Sequence, residues 1–518
     1  MNLYAIVLGL IVAVLLWVSV SQIRKVKTKA DYLVAGRSLP WYVLVFTLLS
    51  SWIGSGSLFG GAENAFKNGF SALWQAGGGW IGLLVIVYVA PRARKFAQFT
   101  IPDLLETRYN VAARVLGAIA ILFAYTAITS YQFRGGGDIL HLAFGLPRDT
   151  GMYMIAGFVI LFTALAGMTS VAYLDVVIGT LATVTCITAI PILLHKTGGW
   201  AGAQAALPPQ YFQWFGNFSM VNGVDHGTGA AWARAAELFL PTMLLMLGNQ
   251  NMYQKFFSAH TERDAKLSVM GWIVGTFVLE TVIVAIAVLG AALYLHTPDV
   301  KPREIIPYAA RNGLPPFIGA LLMGAVFAKV ISTANNYLFS PATNLVNDVY
   351  TRFINKEATN RQVLIVSRFI VVGLGVWAFV QGAYTESILQ KALYAYTIYS
   401  AAITPVVMAA FFWKRASAWG AVSSIGAGTL ITVLWNEGGS NWILAHTTPG
   451  SPLHWLAERD AIFAALLASV LCLLVVSMLT KAPRREQLAP FFDDEKKDDE
   501  KKDDEKKDDE KEPGAATA

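Results

Sequence analysis

The sequence predicts an all-α protein that crosses a membrane many times. Of its 518 residues, 55% are hydrophobic and only 14% are charged, a balance typical of polytopic membrane proteins rather than of a globule with one buried core. Apolar segments recur about thirteen times, each close to the twenty or so residues that a helix needs to cross a bilayer. The second and seventh segments carry helix-breaking residues and stand five apart, which indicates two inverted repeats of five helices.

The apolar segments divide the chain into parts. They lie at roughly 3–21, 40–62, 73–91, 112–144, 151–170, 172–195, 236–254, 268–296, 315–340, 361–381, 388–412, 417–435 and 459–480. The predicted parts are a first helix and loop at 1–39, a first repeat at 40–195, an extracellular loop at 196–235, a second repeat at 236–412, flanking helices at 413–480 and a charged tail at 481–518. The tail repeats DDEKK and has no apolar face, so we expect it to be disordered, the alternative being a solvated helix held by i,i+4 ion pairs.

Basic residues fall in short loops on alternate sides of successive segments. These loops carry Arg24–Lys29, Arg92/Arg94/Lys95, Lys255/Arg263/Lys266, Arg352/Lys356/Arg361, Lys414/Arg415 and Lys481/Arg484/Arg485. Placing them in the cytoplasm puts the N-terminus outside the plasma (inner) membrane and the C-terminus inside. The first segment has no preceding basic residue and four following ones, so we expect a retained anchor. The net charge of +6 then needs no nucleic-acid partner, and no obligate protein partner is evident.

The segment Pro316–Tyr350 carries polar residues in the middle of an apolar run. Lys329, Ser332 and Thr333 are spaced i, i+3, i+4, so they share one helix face. A lysine at mid-membrane depth costs about 2.5–3.5 kcal/mol on insertion scales and is kept only with a partner or a task. Apolar sequence flanks Lys329 by two turns or more, which disfavours a lysine that snorkels to the interface. The face offers one cation and two hydroxyl oxygens.

The two interrupted segments suggest binding sites. Glycine and serine are concentrated in the second apolar segment, in the stretch SSWIGSGS from residue 50 to 57. This composition fits a broken helix that frees carbonyl groups for an ion or a solute, and equally fits tight packing of small residues. The seventh contains Pro241, which frees a carbonyl one turn earlier, followed by Asn249 and Gln250. Glu280 in the eighth segment is another ionisable group within an apolar run.

Further polar groups lie in the third, fourth and sixth segments. The third opens with Trp74 and Gln75, and Asp175 lies near the start of the sixth. Arg134 in the fourth suits a bidentate pair with a carboxylate of a solute. It is equally suited to an internal pair with Asp138, at i+4 on the same helix face. Both interpretations stay open.

Several stretches resemble, in the same order and spacing, motifs of the sodium/solute symporter family, which includes bacterial sodium–proline and sodium–galactose transporters. They are SSWIGSGSLFGG, GMTSVAYLDVV, GNQNMYQKFFSAH, ISTANNYLFSPATNLVNDVY and FFWKRASAWGA, and together the match covers most of residues 30–430. The resemblance implies a LeuT-like fold with flanking helices. It also implies secondary transport of a small organic solute by alternating access.

The resemblance also implies site residues. A sodium-type site would use the carbonyls of Ser50, Ile53 and Lys329 and the hydroxyls of Ser332 and Thr333, with Asp175 near the ion's inward path; such oxygen ligands suit a hard cation. The solute pocket would use Trp52, Gly54, Ser57, Gln75, Arg134 and Thr242, and an arginine near the Arg134 position binds a carboxylate in the branch that transports sialic acid. This chain departs from the family at Lys329, where relatives carry a small residue such as alanine.

We therefore predict a secondary active transporter of a small organic solute, such as a carboxylate or a sugar derivative, coupled to Na⁺ or H⁺. The Lys329 ammonium would fill or modify the sodium-type site, with Asp175 and Glu280 on the ion path. A competing interpretation turns this side chain away and leaves an ordinary sodium symporter. Another hypothesis is a transporter-like sensor without net transport, which the short charged tail disfavours. No nucleophile–base pair or metal-ligand cluster suggests an enzyme, and Cys186 and Cys472 are too few for a disulfide framework.

Overall fold

The structure is a computed structural model in which the predicted all-α architecture is confirmed. It describes residues 3–23, 34–95, 100–165, 168–221, 224–298, 300–385 and 387–492, without the side chains of 18–23 and 168–171. The predicted basic loop Arg24–Lys29 and the DDEKK repeats lie outside the described residues. In this part of the chain, 11 helices are long and apolar enough to cross a membrane, and two shorter apolar helices, Leu3–Trp17 and Trp41–Trp52, accompany them. Each predicted segment overlaps one of these helices.

Most of the described residues belong to helices. In chain order the α-helices are α1 (Leu3–Ile23), α2 (Trp41–Trp52), α3 (Ala62–Asn68), α4 (Leu73–Lys95), α5 (Ile101–Arg108), α6 (Val111–Phe144), α7 (Arg148–Leu165), α8 (Met168–Lys196), α9 (Gly199–Ala206), α10 (Gly227–Gly248), α11 (Gln250–Ser258), α12 (Glu262–Tyr294), α13 (Ile305–Gly313), α14 (Pro316–Asn344), α15 (Asn360–Ala383), α16 (Ile388–Ala402), α17 (Thr404–Phe412), α18 (Ala418–Leu434), α19 (Ser440–His446), α20 (Pro452–Ala457) and α21 (Ala461–Leu479). Strands β1 (Met220–Val221) and β2 (Val224–Asp225) form a small antiparallel hairpin.

Short 3₁₀- and π-helical segments accompany the α-helices. The 3₁₀ segments are Ala35–Arg37, Gly69–Ala72, Pro209–Phe212 and Pro302–Glu304, and the π-helical segments are Gly56–Gly61, Leu345–Ile354 and Trp435–Gly439. The loop predicted at 196–235 is shorter than expected and partly helical. It contains α9 and the hairpin, and α10 already begins at Gly227. The stretch 227–235 is weakly apolar but rich in alanine, the strongest helix former, so hydropathy alone missed its helical start.

The prediction of broken helices in the second and seventh segments is confirmed. The helix α2 ends at Trp52, where Ile53 turns to an extended conformation with φ −76° and ψ 96°. The helix α10 ends at Gly248, and Asn249 is likewise extended with φ −65° and ψ 111°. Pro241 lies inside α10 rather than at its break, and its carbonyl accepts a hydrogen bond of 2.7 Å from the Ser400 hydroxyl. The two breaks leave main-chain carbonyls without helical partners in the interior.

The helix α14 lies at the centre of the molecule. Every residue from Leu322 to Asn344 is buried, including the polar side chains. It packs against α1, α2, α6, α8, α13 and α15. The helix α12 packs against α2, α4 and α8. The broken end of α2 therefore lies between the polar face of α14 and the Glu280 side of α12.

A candidate ion site and solute cavity at the broken helix α2

The Lys329 side chain reaches from α14 to the end of α2. It is fully buried, and its Nζ donates a hydrogen bond of 2.9 Å to the Ser50 hydroxyl oxygen. The break after α2 brings the two helices together, because Gly54 lies directly against Thr333. A methyl group on Gly54 would lie 2.5 Å from the Thr333 Oγ1. A glycine is therefore required at this contact, and the alternative of close packing by small residues holds alongside the break.

The Thr333 hydroxyl contacts the two carbonyl groups that the resemblance assigned to a sodium site. Its Oγ1 lies 2.8 Å from the main-chain oxygen of Ser50 and 3.2 Å from that of Ile53. Both carbonyls are exposed by the helix break, and the hydroxyl shares its single proton between them. A polar side chain of α14 thus satisfies acceptors that would otherwise be buried and unpaired.

The Ser332 hydroxyl faces a third partner, the carboxylate of Asp175 on α8. Asp175 is fully buried and accepts hydrogen bonds from Ser332 and, at 2.6 Å, from the Thr47 hydroxyl. Among the described residues, no hydrogen bond or ion pair joins Asp175 to Lys329. Ser50 stands between the two, since its hydroxyl also lies 3.5 Å from the main-chain oxygen of Asp175. Lys329 and Thr333 thus both contact Ser50, while Ser332 binds Asp175.

A second buried lysine lies near this site and corrects the sequence analysis. Lys255 was assigned to a cytoplasmic loop, but it is fully buried at the end of α11. Its Nζ donates to the side-chain oxygens of Asn251 at 2.6 Å and Asn336 at 3.0 Å. Asn336 in turn donates to the main-chain oxygen of Ser332. Asn251, four residues earlier on the same helix face, was the available signal for this partnership.

The donor set tests how well the site suits a sodium ion. Carbonyl, hydroxyl and carboxylate oxygens are the ligands that a hard cation prefers, and all three types are present. However, the carbonyls of Ser50 and Ile53 already accept from Thr333, and the Ser50 hydroxyl accepts from Lys329. The Lys329 ammonium therefore lies beside the predicted ion position and binds the hydroxyl oxygen of Ser50.

On the other side of α2, four predicted residues surround a small cavity. Its free volume is about 10 Å³, and Trp52, Ser57, Gln75 and Glu280 line it together with Tyr396. That is room for about one water molecule. The Glu280 Oε1 accepts from the Trp52 indole at 2.8 Å and from the Ser57 hydroxyl at 2.7 Å. The structure therefore places Glu280 beside the predicted solute residues, although the sequence analysis put it on an ion path.

The remaining predicted solute residues lie apart from this cavity lining. Gly54 faces Thr333 on the ion side. Thr242 lies near the cavity residue Trp52, with Gly79 beside both. A methyl group on Gly79 would lie 3.7 Å from Thr242 Cγ2 and 3.7 Å from Trp52 Cζ2. Arg134 donates a hydrogen bond of 2.7 Å to the exposed Asp149 carboxylate. Arg134 is not brought to the cavity.

The alternative pairing of Arg134 with Asp138 is wrong. Asp138 is fully buried and binds the guanidinium of Arg303, with Oδ2 2.8 Å from Nε. Arg148 approaches the same carboxylate at 3.4 Å and binds Glu304 through two hydrogen bonds of 2.8 and 2.9 Å. These partners come from distant segments, so spacing within one helix did not indicate them.

A cluster of charged residues at the end of α14 was also missed, and we call it the Arg114 cluster. The Arg114 guanidinium contacts the carboxylates of Asp103 and Glu106 and lies 2.6 Å from Asp348 Oδ1. Arg352 contacts Glu106 as well. Burial raises the pKa of Glu106, but hydrogen bonds and charge from Arg114 and Arg352 outweigh it, so the pKa lies below its ordinary value. The cluster joins α5, α6 and the segment after α14.

The architecture and the motif order both match one family of transporters. The model of the "Sodium:solute symporter family" matches residues 32–428, most of the chain. The chain belongs to the sodium:solute symporter family. Among its relatives, the high-affinity proline transporter PutP of Bacillus subtilis (strain 168) is 26% identical over 493 residues, covering 91% of this chain and 97% of that one. The osmoregulated proline transporter OpuE of the same strain is 24% identical, covering 94% and 97%.

Solved structures show the same fold. A Na⁺-coupled sialic acid symporter in a substrate-bound outward-open state superimposes with a TM-score of 0.76 at 16% identity, covering 93% of this chain and 99% of that one. The nucleobase-cation-symport-1 transporter Mhp1, in a closed conformation, gives a TM-score of 0.54 at 12% identity, covering 90% and 99%. This member of the sodium:solute symporter family therefore has the LeuT-like fold with flanking helices. It is a multi-pass membrane transporter of a small solute and not an enzyme.

Proposed function

We propose that this family member moves a small organic solute by alternating access, and that the Lys329 ammonium takes the place of the coupling sodium ion. The observation that carries the proposal is the hydrogen bond of 2.9 Å from Lys329 Nζ to the Ser50 hydroxyl, with the lysine fully buried. Ser50 belongs to the predicted first repeat and Lys329 to the second. The ammonium thus braces the two repeats across the helix break, as a bound ion would.

Electrostatics supports one cation at this position rather than two. A sodium ion about 4 Å from an ammonium would be repelled by about 4 kcal/mol at an effective dielectric constant of about 20. That corresponds to roughly a thousandfold loss of sodium affinity. The Ser50 and Ile53 carbonyls also accept hydrogen bonds from Thr333, which leaves fewer free lone pairs for an ion. If Lys329 keeps its proton throughout the cycle, the protein is a uniporter or an exchanger; if it releases the proton in one conformation, transport is coupled to protons.

The proposal is tested first without any solute. We expect the melting temperature of the purified wild type to be the same in NaCl and KCl. Lys329→Ala removes the ammonium but keeps the carbonyls, so sodium should specifically stabilise this variant. Lys67→Ala serves as the control, because Lys67 is half exposed and its one ion pair within the described part of the chain is with Glu63, one turn away. A sodium-specific stabilisation of the wild type would contradict the proposal.

Uptake into proteoliposomes provides the second test. L-proline is the first probe, because two relatives are named proline transporters, followed by sialic acid, sugars and carboxylates. We expect uptake without sodium in the wild type and its loss in Lys329→Ala. An imposed proton gradient separates proton coupling from uniport. Strictly sodium-dependent uptake in the wild type that survives in Lys329→Ala would overturn the proposal and leave an ordinary symporter.

The predicted carboxylate on the solute rests on Arg134. The pair of Arg134 with Asp149 is partly exposed, so it contributes little, about 0–1 kcal/mol, and a solute carboxylate can compete with it. We expect Arg134→Ala to abolish binding and Arg134→Lys to keep part of it, since a lysine lacks the planar fork. Asp149→Asn is the control and should leave binding intact. Normal binding by Arg134→Ala would rule out this contact.

We also propose an external N-terminus and a cytoplasmic C-terminus. The support is the alternation of basic loops along the chain. Single cysteines at Asn2 and Asp503, in a chain whose Cys186 and Cys472 are replaced by alanine, can be labelled with an impermeant maleimide on intact cells. We expect labelling at position 2 only. Labelling at both positions, or at neither, would place both ends on the same side and remove one span.

A further inference from the structure

We infer that the transported solute carries an ammonium group and that Glu280 binds it. The inference rests on the proposed function, because it assigns the solute of the cavity beside Trp52. Glu280 is buried in the middle of α12. Its Oε1 accepts hydrogen bonds from Trp52 and Ser57, while no hydrogen bond from the described residues reaches its Oε2. The carboxylate therefore has one free oxygen at the cavity.

Glu280 also lacks a cationic partner within the described part of the chain. Two other buried carboxylates of the transmembrane helices pair with a cation, whereas Asp175 accepts hydrogen bonds from hydroxyl groups. Asp138 pairs with Arg303, and Asp348 pairs with Arg114. A buried charge without a counter-charge is costly, so proteins pair it or let a ligand supply the partner. Since the described residues supply no partner here, a positively charged group on the solute is the fitting complement.

Two further features of the cavity lining suit a cation. The Gln75 Oε1 is buried and has no hydrogen-bond partner. The Trp52 and Tyr396 rings stack with centroids 5.9 Å apart and an interplanar angle of 29°, and the faces of such rings attract cations. Among the residues that the structure describes, no basic side chain lines the cavity. A carboxylate oxygen, an amide oxygen and aromatic faces together suit a primary or secondary ammonium with two or three N–H donors.

This conformation leaves room for only about one water molecule in the cavity, whose free volume is about 10 Å³. A solute can therefore enter only if the Trp52 ring moves from Tyr396 or α12 moves from α2. The indole hydrogen bond to Glu280 would then be exchanged for one from the solute N–H. Binding of the ammonium and opening of the stacked rings are thus linked through one carboxylate oxygen.

The test compares pairs of probes that differ only in the nitrogen. L-proline and L-alanine carry the ammonium, whereas tetrahydrofuran-2-carboxylate, N-acetyl-L-proline and L-lactate do not. We expect only the amines to raise the melting temperature of the purified full-length protein and to bind in calorimetry. Removal of a hydrogen bond to a charged group weakens binding about tenfold to a hundredfold. We expect that loss in Glu280→Gln, and a smaller loss in Gln75→Leu.

Controls keep the inference falsifiable. Glu63→Gln removes another buried carboxylate of the same region, one that pairs with Lys67, and should bind the amines like the wild type. Should Glu280→Gln fail to fold, Gln75→Leu and the probe pairs decide the matter on their own. Equal binding of the nitrogen-free probes, wild-type affinity in a folded Glu280→Gln, or no binding of any amine would overturn the inference. The sodium comparison needs no solute, so the Lys329 proposal stands or fails separately.

Discussion

The Thr333 hydroxyl lies 2.8 Å from the main-chain oxygen of Ser50 and links α14 to the broken end of α2. Its second contact, with the Ile53 carbonyl at 3.2 Å, means that one side chain satisfies both acceptors released by the break. In a membrane interior these acceptors have no water to bind instead. The stability of the break therefore depends on this hydroxyl.

Thr333→Val tests this dependence. The valine keeps the shape but leaves two buried carbonyls short of a donor, at a cost of about 1–3 kcal/mol. We expect a lower melting temperature, whereas Thr333→Ser should stay close to the wild type. Thr188→Val is the control, because that exposed hydroxyl bonds only within its own helix. A melting temperature equal to that of the control would show that the carbonyls find other partners.

Gly54→Ala tests the close approach of α2 and α14. The added methyl group would lie 2.5 Å from the Thr333 Oγ1, and overpacking of this kind costs about 1–3 kcal/mol. We expect reduced stability and loss of uptake. Gly373→Ala on α15 is the matched control, because open space surrounds that position and alanine favours a helix by about 0.5–1 kcal/mol. Wild-type uptake by Gly54→Ala would mean that the helices separate at no cost.

The Arg114 cluster predicts a large difference between two arginines. Arg114 is nearly buried among three carboxylates, so Arg114→Ala leaves buried charges unpaired and should cost about 3–5 kcal/mol. Arg352 is half exposed and contacts only Glu106 among the carboxylates of the described residues, so Arg352→Ala should cost no more than about 1 kcal/mol. Thermal unfolding in detergent measures both. Equal losses of stability in the Arg114→Ala and Arg352→Ala variants would contradict the prediction that the buried arginine contributes more.

The same cluster predicts a pH dependence through Glu106. Its pKa lies below the ordinary value of 4.5 in the folded protein, so its stabilising effect is complete above pH 4.5. The effect is lost as the pH falls from 4.5 through the folded pKa. The difference in melting temperature between the wild type and Glu106→Gln should stay constant from about pH 8 to 5 and shrink below that. A difference in melting temperature that grows on acidification would mean that folding raises the pKa of Glu106 and would contradict the prediction.

Helix positions and breaks could be predicted because they follow from apolar length and from local residue types. The shared face of Lys329, Ser332 and Thr333 also followed from spacing. Their separate partners did not, because each depends on which atom of a neighbouring helix lies within reach of a side chain of given length. Ser332 binds Asp175, and the hydrogen bond that Lys329 makes to the described residues goes to the Ser50 hydroxyl.

Residues at segment ends were the hardest to interpret. Lys255 lies where hydropathy falls, which is typical of a loop, yet α11 is buried along its whole length. The pairs of Asp138 with Arg303 and of Arg114 with Asp348 join positions 165 and 234 residues apart. Such pairs form only when the helices pack together, so they cannot be predicted from any single stretch of sequence.

The covalent attachment of the Lys329 charge to α14 has an electrical consequence. An ion taken from solution gains about 2.3 kcal/mol when it crosses a membrane potential of 100 mV, and a transporter can use this work to concentrate its solute. If Lys329 replaces the ion as proposed and keeps its proton throughout the cycle, it returns with its helix at the end of each cycle and delivers none of this work. A solute without net charge would then cross without generating a current, and it would stop accumulating when its concentrations on the two sides became equal.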